Sequence, residues 1–500
     1  MVNLSAFIRF HAERTPERPA ILYRKQRIDY AELHQRTLGL AGFLAGRGIG
    51  AGDVVAVLMK NSPAFVEAAL ATSYLGAVFL PINFRLAAAE VEYIVGDSGA
   101  KLLLVDDELA AAAAAVPAHL TLEPEAQADS RRLGEAATVP AQCYRQPDDL
   151  FRLMYTSGTT DHPKGVMHTY SNFYWKSADH VVALGLGAED RLLVVGPLYH
   201  AGAFDLPGFA VLWVGGTLCI ERDFDAAAAL GRIEEHGLTG AWLAPVMLNA
   251  VLSLPERQSF DLSSLAWVVG GGERTPEQRI VEFTDLFKAG RYIDAYGLTE
   301  SCSGDTLMEA GREIEKIGST GRALAHVQVR ILDDAGQPLA AGIEGEICLR
   351  GPKITRGYWN APEKTAESFT SDGWFRTGDV GHLDEEGFLY LTDRKKDLII
   401  SGGENIASSE VERVVYDLGQ VSEAAVVGLP DPDWGERPVA VVVLRPGTEL
   451  ALDELTAHCR QHLAGFKVPK QLIVLDELPR NPSGKVLKRE LRTRLAATPE

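Results

Sequence analysis

The sequence predicts an α/β protein built in two parts. A large N-terminal domain of parallel α/β sheets carries a small antiparallel β subdomain, and a smaller α+β domain follows it. Three observations carry this. Short apolar runs alternate with helical patterns from Val54 to Val269. After about Gly318 the runs become short and are separated by Gly and Asp turns. About a hundred residues remain beyond Lys396, enough for a further domain.

In chain order, residues 1–19 mix Arg9, His11, Glu13, Arg14 and Glu17 with few apolar residues, so no signal-peptide core is present there. Strands are expected over 54–59, 77–82, 101–105, 151–155, 191–195, 217–220 and 266–269, with helices such as 63–76 and 224–236 between them. The charge-free stretches 68–82 and 206–220 are shorter than the ~18–20 residues of a spanning helix and hold Gly and Pro. They read as buried strand–loop–helix segments of a cytoplasmic protein. The alanine run 110–115 reads as a helix ended before Pro117, and from there to Pro147 the chain reads as surface connection. Short strands are expected at 327–332, 346–350 and 388–392. The polar stretch Asp393-Arg394-Lys395-Lys396-Asp397 then separates a domain over 1–394 from one over 395–500. In the second, a helix at 408–416, strands at 424–428 and 439–444 and a helix at 455–463 are expected.

Composition narrows the function. The 500 residues exceed one compact domain, and 46% hydrophobic with 23% charged residues is ordinary for a globular chain. The net charge of −19, from 49 basic and 68 acidic residues, argues against nucleic acid as a partner. Cys143, Cys219, Cys302, Cys348 and Cys459 are odd in number and none forms a C-x-x-C pair, so neither a disulfide framework nor a zinc site is indicated.

The most specific stretch runs Tyr155-Thr156-Ser157-Gly158-Thr159-Thr160-Asp161-His162-Pro163-Lys164-Gly165-Val166 after an apolar strand. Small hydroxyl residues and glycine leave backbone N–H and side-chain O–H donors free to surround an anion, and Lys164 adds a fixed positive charge. That suits a polyphosphate, though Ser/Thr/Gly turns are also common on surfaces. It is not the Walker A pattern, whose lysine directly precedes Ser/Thr. Four further motifs follow in order. They are Tyr296-Gly297-Leu298-Thr299-Glu300, Trp374-Phe375-Arg376-Thr377-Gly378-Asp379, Asp393-Arg394 through Ser401-Gly402-Gly403-Glu404-Asn405, and Pro482-Ser483-Gly484-Lys485.

Together these five motifs resemble the signatures of the adenylate-forming superfamily, which holds acyl-CoA synthetases, peptide-synthetase adenylation domains and beetle luciferases. The resemblance covers essentially the whole chain and is greatest to fatty-acyl-CoA and aryl-CoA ligases. It implies ATP, Mg2+ and coenzyme A as reactants, and a mobile C-terminal domain. The implied ATP/AMP site comprises Thr156, Ser157, Gly158, Thr159, Thr160 and Lys164 around the phosphates, and Gly271, Gly272, Glu273, Asp294, Ala295, Tyr296 and Gly297 around adenine. Asp379 would accept from the ribose hydroxyls, and Arg394 would bind ribose or phosphate through its planar fork. Thr299 would meet the α-phosphate, and Glu300 supplies the hard oxygen that Mg2+ prefers. Lys485 is implied as the catalytic cation between carboxylate and α-phosphate. For the thiol step, relatives turn the small domain about a hinge, for which Lys396 fits best, with Lys395 and Asp397 as neighbours. The loop Ser401, Gly402, Gly403, Glu404 then shapes a pantetheine tunnel. The chain departs from the family at Asp161, where glycine is usual; Asp tolerates a left-handed backbone, but its carboxylate is unfavourable beside phosphate.

For the acid, the resemblance points to a pocket of His200, Phe204, Trp242, Gly271, Tyr296 and Ser303, with His200 binding or gating rather than acting as a base. No arginine lies within these pocket segments, which favours an apolar monocarboxylic acid, fatty or aryl, over a dicarboxylate. Asp205 is expected to be solvated rather than to face a substrate hydroxyl. A stand-alone adenylation enzyme loading a carrier protein's pantetheine fits the same motifs. A catalytically dead nucleotide-binding protein does not fit the joint presence of Lys485, Asp379, Arg394 and Glu300. Membrane contact is at most peripheral, and a homo-oligomer is compatible with the sequence.

Overall fold

The computed structural model describes residues 2–117, 119–122, 138–156, 163–272, 275–394, 397–401, 404–431, 434–480 and 486–496; for 121, 122, 393, 394, 404 and 405 it describes the backbone alone. Four sheets organise these residues. The largest has nine strands, and its centre is parallel: Arg291–Tyr296, Trp267–Gly271, Gly240–Leu243, Arg191–Val194, Thr217–Ile220 and Pro19–Tyr23 lie side by side. Antiparallel strands close both edges, Gln26–Asp29 at one and Thr306–Leu307 with Arg322–Ala323 at the other. A second sheet of six strands is parallel through His119–Leu122, Leu102–Asp106, Val54–Leu58, Val78–Ile82 and Leu150–Thr156, and is closed by antiparallel Lys164–Thr169.

Central strands such as Val54–Leu58 and Leu102–Asp106 are buried along their whole length, as continuous apolar runs in a covered parallel sheet must be. The helix Pro63–Leu75 starts with proline at its first turn and ends at left-handed Gly76. Every residue in it except Ala64 is buried, so it lies inside the main core rather than on the surface. The charge-free stretch 68–82 is thus this helix and the strand after it.

Beyond residue 318 the expected antiparallel subdomain is a four-stranded sheet of Gln328–Leu332, Gly345–Arg350, Phe375–Leu383 and Leu389–Arg394. The C-terminal part packs five strands with the helices Ser408–Tyr416, Leu452–His462 and Lys488–Ala496. Its long hairpin, Val421–Asp431 with Gly435–Leu444, extends several residues beyond the apolar runs that mark it in sequence. Cross-strand pairing carries it through polar Glu436 and Arg437.

Some expectations change. The helix expected at the alanine run is present as a 3-10 helix over Asp107–Ala113. The supposed surface connection begins with a strand, His119–Leu122, paired to the sheet edge. The N-terminal hairpin and the helix Tyr30–Gly46 carry signals too short or too mixed to stand out in the sequence. Among the described residues no helix is long and apolar enough to cross a membrane.

Candidate active site

The strands on either side of the phosphate-loop motif pair with each other. Strands Leu150–Thr156 and Lys164–Thr169 pair antiparallel with Thr156 opposite Lys164. Thr156 and Lys164 are thereby brought together. Ser157, Gly158, Thr159, Thr160 and Asp161 lie outside the described residues, as do Glu273, Lys396, Gly402, Gly403 and Lys485.

A cleft opens between the large and C-terminal parts. Gly272, Ala295, Tyr296, Gly297 and Asp379 line one side of it. Arg480, Val486 and Lys488, which flank residues 481–485 in sequence, line the other. Five of the residues expected at the nucleotide therefore face one space, although they come from the ends of two strands and the middle of a third. Tyr296 O–H donates to Asp379 Oδ2 at 2.8 Å, which fixes the ring against the carboxylate. Burial, with the Asp379 charge beside it, pushes the Tyr296 phenol well above its ordinary pKa, so it stays a donor. Asp379 also faces Arg394 in the ladder of the antiparallel sheet. Close approach explains the glycines here: a Cβ on Gly271 would come 2.8 Å from the Ala295 carbonyl, and Gly272 has φ +91°.

Thr299–Ser301 form a 3-10 turn directly after Tyr296-Gly297-Leu298. Tyr358 O–H donates to Glu300 Oε1 at 2.9 Å, and the Thr355 N–H donates to the Glu300 carbonyl at 2.6 Å. A single oriented carboxylate fits a hard cation whose remaining ligands are phosphate oxygens and water. Three left-handed residues follow, Cys302 (φ 58°), Ser303 (φ 66°) and Gly304 (φ 63°), a costly backbone for two non-glycine residues. Lys353 holds it: Nζ donates to the Ser303 and Gly304 carbonyls at 2.8 and 2.5 Å and pairs with Asp305 at 3.0 Å, with both side chains fully buried.

The acyl-pocket candidates divide. The His200 ring lies 6.4 Å from Trp242, and its Nδ1 accepts from the Gly202 N–H. Burial lowers its pKa, so it is neutral. Gly196 and Gly202 pack on the Trp242 ring; a Cβ at Gly196 would sit 2.6 Å from it. Phe204 instead belongs to the aromatic core, edge-on to Phe65 and Phe209 at 5.7 and 5.8 Å. Ser401 is buried in the C-terminal sheet opposite Glu404 and Gly435, rather than at the cleft.

Asp205 corrects the sequence reading. It is fully buried, not solvated, and both its oxygens accept from Arg152 at 2.7 Å. Arg152, His168, Lys353 and Tyr358 are the site-supporting residues that sequence reasoning missed. No local signal marks them, because each acts on a partner far away in the chain.

Residues 8–359 match the model of the AMP-binding enzyme family, and residues 410–485 match that of the AMP-binding enzyme C-terminal domain. The chain is 39% identical to a feruloyl-CoA synthase of Amycolatopsis sp over 483 residues, 97% of each chain. It is 37% identical to a long-chain-fatty-acid–CoA ligase of Mycobacterium tuberculosis, over 100% of this chain and 99% of the other. The o-succinylbenzoate CoA synthetase of Bacillus subtilis, solved with its acyl-adenylate intermediate, superposes with a TM-score of 0.86 at 33% identity, covering 97% of both chains. The chain belongs to the AMP-binding enzyme family and is an adenylate-forming acyl-CoA synthetase.

Proposed function

We propose that the enzyme activates a hydrophobic monocarboxylic acid, fatty or aryl, in the cytoplasm and passes it to coenzyme A. The observation that carries this is the single cleft that joins Gly272, Ala295, Tyr296, Gly297 and Asp379 to the residues flanking Lys485. Adenine stacks on Tyr296, and the ribose hydroxyls donate to Asp379. Thr156, Ser157, Gly158, Thr159, Thr160 and Lys164 surround the β- and γ-phosphates. A carboxylate oxygen of the acid attacks the α-phosphorus, and the bond to pyrophosphate breaks. Lys485 orients the two anions and stabilises the charge that builds between them. Mg2+, bound through Glu300, supplies charge neutralisation of the polyphosphate. In the second step the CoA sulfur attacks the acyl carbonyl and AMP leaves. For this step the domain over 395–500 turns on the domain over 1–394 about Lys396, bringing Ser401 to Glu404 to the tunnel.

Buried charge pairing supports a monocarboxylate. Among the buried cations, Arg152 and Lys353 have carboxylate partners within the chain, Asp205 and Asp305, and Lys176 donates to the Asp205 carbonyl. Two of the relatives are named for feruloyl and long-chain fatty acyl groups.

The test is mass-spectrometric detection of acyl-CoA from purified protein, ATP, Mg2+, CoA and a panel of ferulate, cinnamate, benzoate and dodecanoate. A thioester with any of these supports the reading and ranks the acids. Acyl-AMP with pyrophosphate and no thioester would move the acceptor to a carrier protein. Lys485→Ala is expected to lose acyl-AMP formation while still converting supplied acyl-AMP and CoA to thioester.

A further inference from the structure

A continuous path of buried polar side chains runs from the acyl-pocket segment to the Thr299–Glu300 turn. Its members, Asp205, Arg152 and His168, are 0%, 1% and 0% exposed. Arg152 donates through both terminal nitrogens to the two Asp205 oxygens at 2.7 Å. From the same guanidinium, Nε and one terminal nitrogen donate to His168 Nδ1 at 3.0 and 2.9 Å. An Nδ1 that accepts leaves the ring proton on Nε2, and this N–H donates to the Thr299 carbonyl at 2.7 Å. Burial and the Arg152 charge hold the His168 imidazole well below the ordinary histidine pKa, so this neutral tautomer persists.

The two ends of the path are significant. Asp205 sits within Ala201–Phe209, the segment that follows His200 and packs Gly202 against Trp242. Its own carbonyl is held by Lys176 Nζ at 2.6 Å. At the other end the Thr299 carbonyl begins the turn that carries Glu300. A buried ion pair is weak evidence for stability, because well-packed apolar side chains often serve as well. Three buried polar groups in sequence, each satisfied by the next, instead specify one relative placement of the elements they join.

We infer that Asp205, Arg152 and His168 are positioning residues that lock the Thr299–Glu300 turn to the acyl-pocket segment and so set the adenylation geometry. This rests on the roles proposed above for Thr299 and Glu300. No proton moves along the path; the ion pair is neutral overall and the imidazole keeps its tautomer. A displaced Thr299–Glu300 turn misplaces the oxygen ligand for Mg2+ and the α-phosphate contact together, so the Mg2+ requirement reports on the path.

The experiment is ATP–pyrophosphate exchange as a function of Mg2+, with the acid that gives the fastest exchange among ferulate, cinnamate, benzoate and dodecanoate. In His168→Asn the amide oxygen can still accept from Arg152, but its N–H falls short of the Thr299 carbonyl. In His168→Gln the longer side chain restores that donor. His168→Asn is expected to lower the exchange kcat about ten- to hundredfold, the scale of a 1 Å misplacement, and to raise the half-saturating Mg2+. His168→Gln recovers most of both, at a melting temperature close to that of His168→Asn. Asp205→Asn, which keeps the shape but releases Arg152, shifts the Mg2+ requirement in the same direction and serves if the His168 variants fail to fold. Wild-type exchange and Mg2+ dependence in His168→Asn would overturn the inference. So would equal losses in the Asn and Gln variants that simply track melting temperature. Glu300→Gln separates the two levels: if it is impaired while His168→Asn is not, the positioning role fails alone. If Glu300→Gln exchanges as wild type does, the role assigned to the turn fails first and the inference with it.

Discussion

Replacing Lys353 with methionine tests how the left-handed 302–304 segment is held. Lys353 and Asp305 are both fully buried and pair at 3.0 Å. Removing the ammonium leaves Asp305 as an uncompensated buried carboxylate, a loss of about 3–5 kcal/mol when such a pair is broken. The protein escapes part of this by protonating Asp305, whose pKa burial already raises from the ordinary 3.8. At pH 7, holding a carboxyl of unfolded pKa 3.8 in its neutral form costs about 4 kcal/mol; at pH 5 it costs about 1.6 kcal/mol. The sign follows from linkage: a carboxyl whose folded pKa is raised stabilises the fold below its unfolded pKa and loses that contribution as pH rises. Lys353→Met is therefore expected to lose about 4 kcal/mol at pH 7 and less than half of that at pH 5. Lys353→Met/Asp305→Asn, which removes the charge but keeps the shape, should recover most of the loss and lose the pH dependence. Urea unfolding followed by tryptophan fluorescence at the two pH values measures both. A deficit equal at pH 5 and pH 7, or a double variant no better than the single one, would refute the reasoning.

Three other outcomes follow from the same geometry. Lys176 is buried over Phe173 and Phe209, and burial lowers its pKa to about 7. The unfolded chain then binds more protons between pH 7 and 10.5, so this group makes wild-type stability rise with pH. Lys176→Met lacks that rise, and its stability relative to wild type should fall by roughly 2 kcal/mol from pH 7 to pH 9; urea midpoints that show no such fall reject this. Tyr358→Phe removes the O–H that orients Glu300, a hydrogen bond to a charged group, and should raise the Mg2+ needed for half-maximal exchange roughly tenfold. An unchanged Mg2+ titration counts against Glu300 as the metal ligand. Gly202→Ala drives a Cβ into the Trp242 ring and should raise KM for the acid about tenfold while leaving KM for ATP within about twofold. Equal effects on both would place Trp242 outside the acid site.

By itself the sequence determined the family and the main layout of the chain. Binding a polyphosphate, a ribose and adenine demands particular residue types at short, fixed spacings. Thr156 to Lys164, Tyr296 to Glu300 and Asp379 are accordingly legible as local strings. The alternation of apolar strands with helices is legible for the same reason, since periodicity is a local property. Local strings failed where local signal was weak: the edge strand His119–Leu122 is short and reads as connection. Only the tertiary structure decided which charges are buried and paired. Asp205 reads as a solvated acid because its partner Arg152 is 53 residues away, and His168 reaches Thr299 across 131 residues. Those contacts depend on how two sheets pack around one core. Burial turns each of them from a surface charge of little consequence into a constraint on the site, because an unpaired polar group there is too costly to keep.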